Sequence, residues 1–220
     1  IDGAMSTPLE AAGLNLNDTL WSAKALLECP DLVRKVHYDY YAAGANAVEA
    51  CSYQATEAAF ARKGIEKAEA SRLIRLSGEL VREAKNDVLL DHPEWDPADL
   101  LTAGSIGPYG AYLADGSEYT GAYDLTREEY YAFHQLRLDE LLNSGMDILA
   151  IETQPRFDEI EALLAMIAER DITCWVTVTL KDGDMPDGTK LEVLAKCLDA
   201  DPHVEAFGFN CVKREWVEPG

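Results

Sequence analysis

Gly104-Ser105-Ile106-Gly107-Pro108-Tyr109-Gly110-Ala111-Tyr112-Leu113-Ala114-Asp115-Gly116-Ser117-Glu118-Tyr119-Thr120-Gly121 holds five glycines and one proline in eighteen residues. Leu100-Leu101 leads into it and a helical pattern follows from Thr126. The stretch therefore reads as a long loop leaving the C-terminal end of a strand and returning through a helix. Long loops in compact domains are uncommon and often functional. Three tyrosines and a leucine within it exceed what a solvated loop needs.

The same order of strand, loop and helix recurs on both sides. Ile1-Asp2 reads as the end of a first strand. Ala45–Cys51, Asp99–Ile106, Met146–Glu152, Thr173–Leu180 and Val204–Phe209 read as five more. Helices are expected from Asn17-Asp18, from Pro30 to Gly44, over Thr56–Ala61, over Ile65–Ala84, from Thr126 to about Asn143, over Arg156–Arg170 and over Leu191–Leu198. Asn86–Pro97 is polar and expected at the surface. Thr126-Arg127-Glu128-Glu129 has the spacing of a capping box. Met146–Glu152 is a continuous apolar run, the pattern of a strand buried on both faces. Six such units imply parallel strands joined by right-handed crossovers. A doubly wound sheet and a (β/α)8 barrel both fit that repeat. No GxGxxG follows the first strand to favour a dinucleotide fold. Polar residues end several strands: Asp2, Ser52, Ser105, Glu152 and Cys211. In a barrel those ends converge on one mouth, where active sites lie. At roughly 37 residues per unit, eight units need about 290 residues. The expectation is a single α/β domain over residues 1–220, a (β/α)8 barrel with about six units present, truncated at both ends.

Composition narrows the class of partner. The 220 residues carry 40 acidic and 19 basic side chains, a net charge of −21. A field of that sign repels phosphate backbones, so no nucleic-acid partner is expected. No apolar run approaches the ~18 residues of a membrane span, and no export signal opens the chain, so no membrane partner and a cytoplasmic location are expected. Cys29, Cys51, Cys174, Cys197 and Cys211 are odd in number and widely spaced, which fits reduced thiols.

The wording of the organising stretch closely resembles the signature loop of the homocysteine S-methyltransferases that use S-methylmethionine or S-adenosylmethionine. Asp2–Met5 (DGAM), Leu16–Val33, Ser52–Thr56 (SYQAT), Ile151–Thr153 (IET) and Gly208–Cys211 (GFNC) agree with that family in the same order. The resemblance implies a barrel, and methyl transfer from a methylsulfonium donor to homocysteine, giving methionine. It implies that the acidic residues of DGAM and IET hold the amino group of homocysteine. It also implies that the cysteine of GFNC binds Zn²⁺.

The residues themselves point the same way at two of these positions. Glu152 ends an apolar strand, where an unpaired carboxylate is costly. With Asp2 at the same mouth and no lysine nearby, the pair suits an ammonium group. Gly3, beside Asp2, belongs to that subsite. Tyr53, Gln54 and Tyr109 are expected to line the substrate pocket, because an aromatic face attracts a sulfonium cation. Asn210 is expected to orient Cys211. Cys211 is the expected catalytic thiolate ligand of zinc, but a zinc site needs about three protein ligands. The family's paired Cys-Cys is absent here, and His37, His92, His134 and His203 read as ordinary helix or surface residues. The expectation is that the remaining zinc ligands are not in this chain. Two other readings remain open: a barrel enzyme with a phosphate-bearing substrate cradled by GSIGPYG, or an inactive or binding-only fragment. A Schiff-base lyase is disfavoured because the expected strands hold no lysine.

Overall fold

The structure, a computed structural model, describes residues 1–217. Five strands lie in one sheet in chain order, β1-β2-β3-β4-β5, with helices between them. The chain divides into two compact units.

The first unit comprises Ile1–Ser105 and Leu136–Ile148. It holds α1 (Ser6–Ala11), α2 (Ala25–Glu28), α3 (Pro30–Ala42), β1 (Ala47–Glu49), α4 (Glu57–Ala61), α5 (Lys67–Asp91) and most of β2 (Leu101–Ile106). β1 and β2 pair in parallel, Val48 opposite Thr102. Pro30 opens α3 at its first position, where a missing N–H costs nothing, and Gly44 follows its end at φ +102°. Val33, Val36 and Tyr41 on α3 are buried, as are Leu73, Ile74, Leu80 and Val81 on α5. These stripes pack the two helices together, and Arg34 Nε donates to Asp87 Oδ2 at 2.8 Å between them. Thr56 caps α4 by accepting from Ala59 N–H at 3.1 Å.

Three expectations fail in this unit. Ile1-Asp2 forms no strand, although Asp2 N–H donates to Ala47 O at 3.0 Å alongside β1. Five strands rather than six are therefore seen among the described residues. The helix expected at Asn17-Asp18 starts later: Asp18 accepts from Leu20 N–H, and a 3₁₀ turn at Trp21–Lys24 leads into α2. The helix expected to end at Ala84 runs on through Asn86 to Asp91 as α5. Val88 lies four residues beyond Ala84 on the same buried stripe, and that burial outweighs the polar residues between them.

The second unit comprises Ile106–Gln135 and Leu149–Gly220. It contains α6 (Tyr109–Leu113), α7 (Ser117–Thr120), the first half of α8 (Arg127–Asn143), nearly all of β3 (Ile148–Gln154), α9 (Phe157–Ala168), β4 (Cys174–Val178), α10 (Leu191–Ala200), β5 (Val204–Phe209) and α11 (Arg214–Val217). β3 pairs with β4 and β4 with β5, both parallel. The capping box forms as expected. Thr126 N–H donates to Glu129 Oε2 at 2.7 Å, and Glu129 N–H donates to Thr126 Oγ1 at 3.3 Å.

The organising stretch is not a long loop. Gly104–Ile106 belongs to β2, and two short helices follow. Gly116 at φ +87° and Gly121 at φ +62° bound α7 with left-handed turns. Gly110 serves a different end: a Cβ there would stand 2.5 Å from the backbone N of Glu118, so only glycine lets α6 and α7 touch. The glycines read as loop signals are thus the punctuation of two helical turns.

Candidate functional site

In the first unit, the expected residues gather around β1. Glu49 N–H donates to Asp2 Oδ2 at 3.0 Å, which places the Asp2 carboxylate beside the C-terminal end of that strand. Gly3 lies against Tyr40, whose hydroxyl donates to Ala4 O at 3.0 Å. Burial, then the Asp2 carboxylate, pushes the Tyr40 phenol up. Ser52, Tyr53 and Gln54 follow the strand. Ser52 Oγ donates to Ser105 O at 2.7 Å and so ties the ends of β1 and β2 together. Tyr53 meets Trp21 edge to face, ring centroids 6.2 Å apart, and is half-buried. Gln54 is buried. Arg137, fully buried on α8, donates from Nη1 to Tyr53 O at 2.6 Å. The guanidinium holds the backbone of a residue expected to face substrate.

In the second unit, β4 lies between β3 and β5, and a residue near the end of β3 meets one just past the end of β5 across it. Glu152 is half-buried near the end of β3. Thr153 follows at φ +56°, a rare conformation for a β-branched residue. Its strain is held by Asn210. Thr153 N–H donates to Asn210 Oδ1 at 3.0 Å, and Asn210 Nδ2 donates to Thr153 Oγ1 at 2.8 Å. Asn210 N–H in turn donates to Val178 O, extending the β4–β5 ladder by one step. Cys211 comes next, exposed and also left-handed at φ +54°. Strain of this kind persists only where the surroundings over-determine it, and it concentrates at functional sites. The Asn210 amide thus bonds Thr153 through both its oxygen and its nitrogen. One side chain therefore couples the residue after Glu152 to the residue before Cys211.

Tyr109, expected at the pocket wall, opens α6 half-buried. Its ring packs among Phe133, Tyr112 and Tyr123, with centroids 4.9, 5.4 and 5.5 Å away. Its amide N–H donates to Glu159 Oε1 at 2.7 Å. That bond bears on the phosphate reading. Pro108 has no N–H, and the next amide, at Tyr109, already serves a carboxylate, so two donors that a phosphate cradle would use are lost.

His37 and His134, read as ordinary helix or surface residues, are fully buried. His134 lies 2.8 Å from Glu159, which is also fully buried. Both had a signal in the sequence. His134 falls on the stripe of Tyr130, Leu138 and Leu141, and Glu159 on that of Leu163, Met166 and Ile167. A polar residue on an apolar stripe needs a partner, and each is the other's. His92 and His203 lie at or near the surface, as expected.

Among the described residues, no three His, Cys, Asp or Glu side chains are grouped so as to hold a metal ion. Cys211 alone does not make a tetrahedral zinc site, so the residues described do not by themselves fit zinc. No helix among them is long and apolar enough to cross a membrane.

The homocysteine S-methyltransferase family model matches residues 1–219. The Homocysteine S-methyltransferase of Escherichia coli K12 is 49% identical over 217 residues, 98% of this chain and 69% of that protein. Homocysteine S-methyltransferase YbgG of Bacillus subtilis 168 is 44% identical, over 99% of this chain and 70% of its own. The crystal structure of the homocysteine methyltransferase MmuM from Escherichia coli, in a metallated form, superposes with a TM-score of 0.93 at 48% identity, covering 99% of this chain and 75% of that one. Sequence over nearly the whole length and backbone thus agree with the strand-end motifs, and the chain belongs to the homocysteine S-methyltransferase family.

Proposed function

We propose that this protein transfers a methyl group from a methylsulfonium donor, S-methylmethionine or S-adenosylmethionine, to homocysteine, giving methionine. The observation that carries the reading is the agreement with homocysteine S-methyltransferases in sequence and backbone over nearly the whole chain, and the Thr153–Asn210 pair, which links the residue after Glu152 to the residue before Cys211, supports it. The homocysteine sulfur forms a bond to the methyl carbon while the carbon–sulfonium bond breaks. The electron pair leaves with a neutral thioether, and the thiol proton is released. The leaving group needs no proton, so no general acid is assigned. The protein's work is to hold and orient. Asp2, Gly3 and Glu152 bind the homocysteine ammonium, and Tyr53, Gln54 and Tyr109 wall the pocket. Asn210 belongs to the same set by bracing the backbone beside both Glu152 and Cys211.

The architecture belongs to the same proposal. Strand order that follows chain order without a reversal is the pattern of a (β/α)8 barrel, whereas a doubly wound sheet has a switch point. We take residues 1–220 as part of one such barrel domain, working in the cytoplasm. Cys211 is proposed as one thiolate ligand of a bound zinc ion, with further ligands not among the described residues.

The test is methionine formation, followed by mass spectrometry, with homocysteine and each donor in turn. Methionine from at least one donor is the expected result, and none from either would overturn the reading. Metal content of wild type and Cys211→Ala tests the ligand separately. Equal zinc in both would remove Cys211 from the metal site.

A further inference from the structure

The second unit contains a buried polar cluster that the proposed reaction leaves unused. Glu159 lies at the third position of α9, where the positive end of the helix dipole favours a carboxylate. Its Oε1 accepts from Tyr109 N–H at 2.7 Å and lies 2.8 Å from His134 Nε2. Its Oε2 accepts from the Tyr123 hydroxyl at 2.6 Å. Burial, then the Glu159 charge, pushes the Tyr123 phenol far above its ordinary range, so it stays a donor at any working pH. Groups from three places meet on one carboxylate: the β2–α6 junction, the chain between α7 and α8, and α8 itself. A buried carboxylate is tolerated only with such partners, and removing them is costly. The 107–123 segment is therefore pinned at both ends by the same side chain.

We propose that Glu159 is a positioning residue for methyl transfer, fixing the conformation of the 107–123 segment that follows β2. The proposal rests on the methyltransferase reading and adds a residue to it. The segment carries Tyr109, a proposed wall of the pocket. At one end is Tyr109, whose backbone sets the aromatic group of Tyr112, Tyr123 and Phe133 around it. Towards the other is Tyr119, half exposed on α7. Releasing the carboxylate frees both.

Two variants separate this role from general support of the fold. Glu159→Gln keeps the shape and removes the charge. Tyr123→Phe removes a single hydroxyl. Chymotrypsin cuts after tyrosine and leucine, and the segment offers Tyr109, Tyr112, Leu113, Tyr119 and Tyr123. Limited digestion followed by mass spectrometry should show faster cleavage confined to 109–123 in both variants. Steady-state kinetics should show a higher KM for homocysteine and a kcat/KM lower by about tenfold or more, the scale of a misplaced contact. Loss of folded protein would instead lower kcat at constant KM and speed cleavage throughout the chain, and that pattern overturns the proposal. So do unchanged cleavage and unchanged kinetics in both variants, or an unchanged segment with impaired kinetics. Should Glu159→Gln fail to fold, Tyr123→Phe decides alone. A wild type that forms no methionine defeats the methyltransferase reading, while the cleavage pattern still decides whether Glu159 holds the segment.

Discussion

His37 is fully buried on α3, and neither ring nitrogen meets a hydrogen-bond partner among the described residues. Burial lowers its pKa from 6.5 to about 3, so the folded protein keeps the ring neutral where the unfolded chain would protonate it. Acid thus favours unfolding. Stability should fall as pH drops below about 6.5, by about 1.4 kcal/mol per pH unit, and the loss should level off near pH 3. Urea unfolding of His37→Leu across pH 6.5 to 4.5 should show a shallower slope by about one proton, and an identical slope would show that the ring titrates normally. Glu152→Gln tests the ammonium subsite. Homocysteine binding should weaken by roughly 1.5–3 kcal/mol, the worth of a charge-assisted hydrogen bond. Unchanged affinity in a calorimetric titration would make Glu152 a structural residue. Asn210→Ala removes both bonds to Thr153 and leaves its strained backbone unsupported. A loss of about 1–3 kcal/mol in stability is expected from two hydrogen bonds, together with weaker homocysteine binding. Full affinity would show that the β3 end holds its shape without Asn210.

The elements were legible where one pattern ruled without competition. Val204–Phe209 is a strand over the residues expected, and Thr126 begins α8 through its capping box. They were misread where local polarity hid a buried stripe or where glycine carried more than one meaning. Lys85-Asn86-Asp87 looked like a helix end, yet Val88 returned to the core and carried α5 on to Asp91. The glycines of the organising stretch looked like flexibility, yet Gly110 is there for a backbone-to-backbone contact that no spacing rule reveals. Of the candidate site, Glu152 drew notice because a carboxylate closing an apolar run is conspicuous, whereas Cys211 drew it only through the family resemblance of its GFNC context. Glu159 and His134 were passed over, although each lies on an apolar stripe where a polar residue needs a partner, because only the fold shows that the two face each other. Gly110→Ala follows from this reading. The added methyl would meet the Glu118 nitrogen and the Ser117 carbonyl carbon, so α7 must move. A cost of about 1–3 kcal/mol is expected from overpacking. In a crystal structure or in amide exchange, the change should centre on 109–121. An α7 left in place would mean that the neighbouring backbone absorbs the methyl.

At the scale of the whole molecule, fold class follows from repetition and survives errors in single elements. Reading one strand too many and misplacing two helix ends left the parallel α/β reading intact, because the order of strands along the chain carries it. Net charge is the other whole-molecule property that needs no fold to be read. Forty acidic side chains against 19 basic ones leave −21. Some of the excess is locally paired, as at Arg75–Glu140 and Arg156–Asp158. Pairing cannot exceed the number of cations, so the unbalanced charge repels itself in the compact state more than in the expanded one. Salt shortens the range of that repulsion from about 30 Å at 0.01 M to about 8 Å at 0.15 M. Surface ion pairs are weakened by the same screening, but each is worth only about 0–1 kcal/mol. The sign of the net effect follows: raising sodium chloride from 0.01 to 0.15 M should raise the thermal midpoint by about 2–4 °C, the scale that ~1 kcal/mol sets for a chain this long. Scanning fluorimetry at fixed pH measures it. A midpoint that falls with salt would mean that the ion pairs, not the excess of carboxylates, dominate the electrostatics of the folded protein.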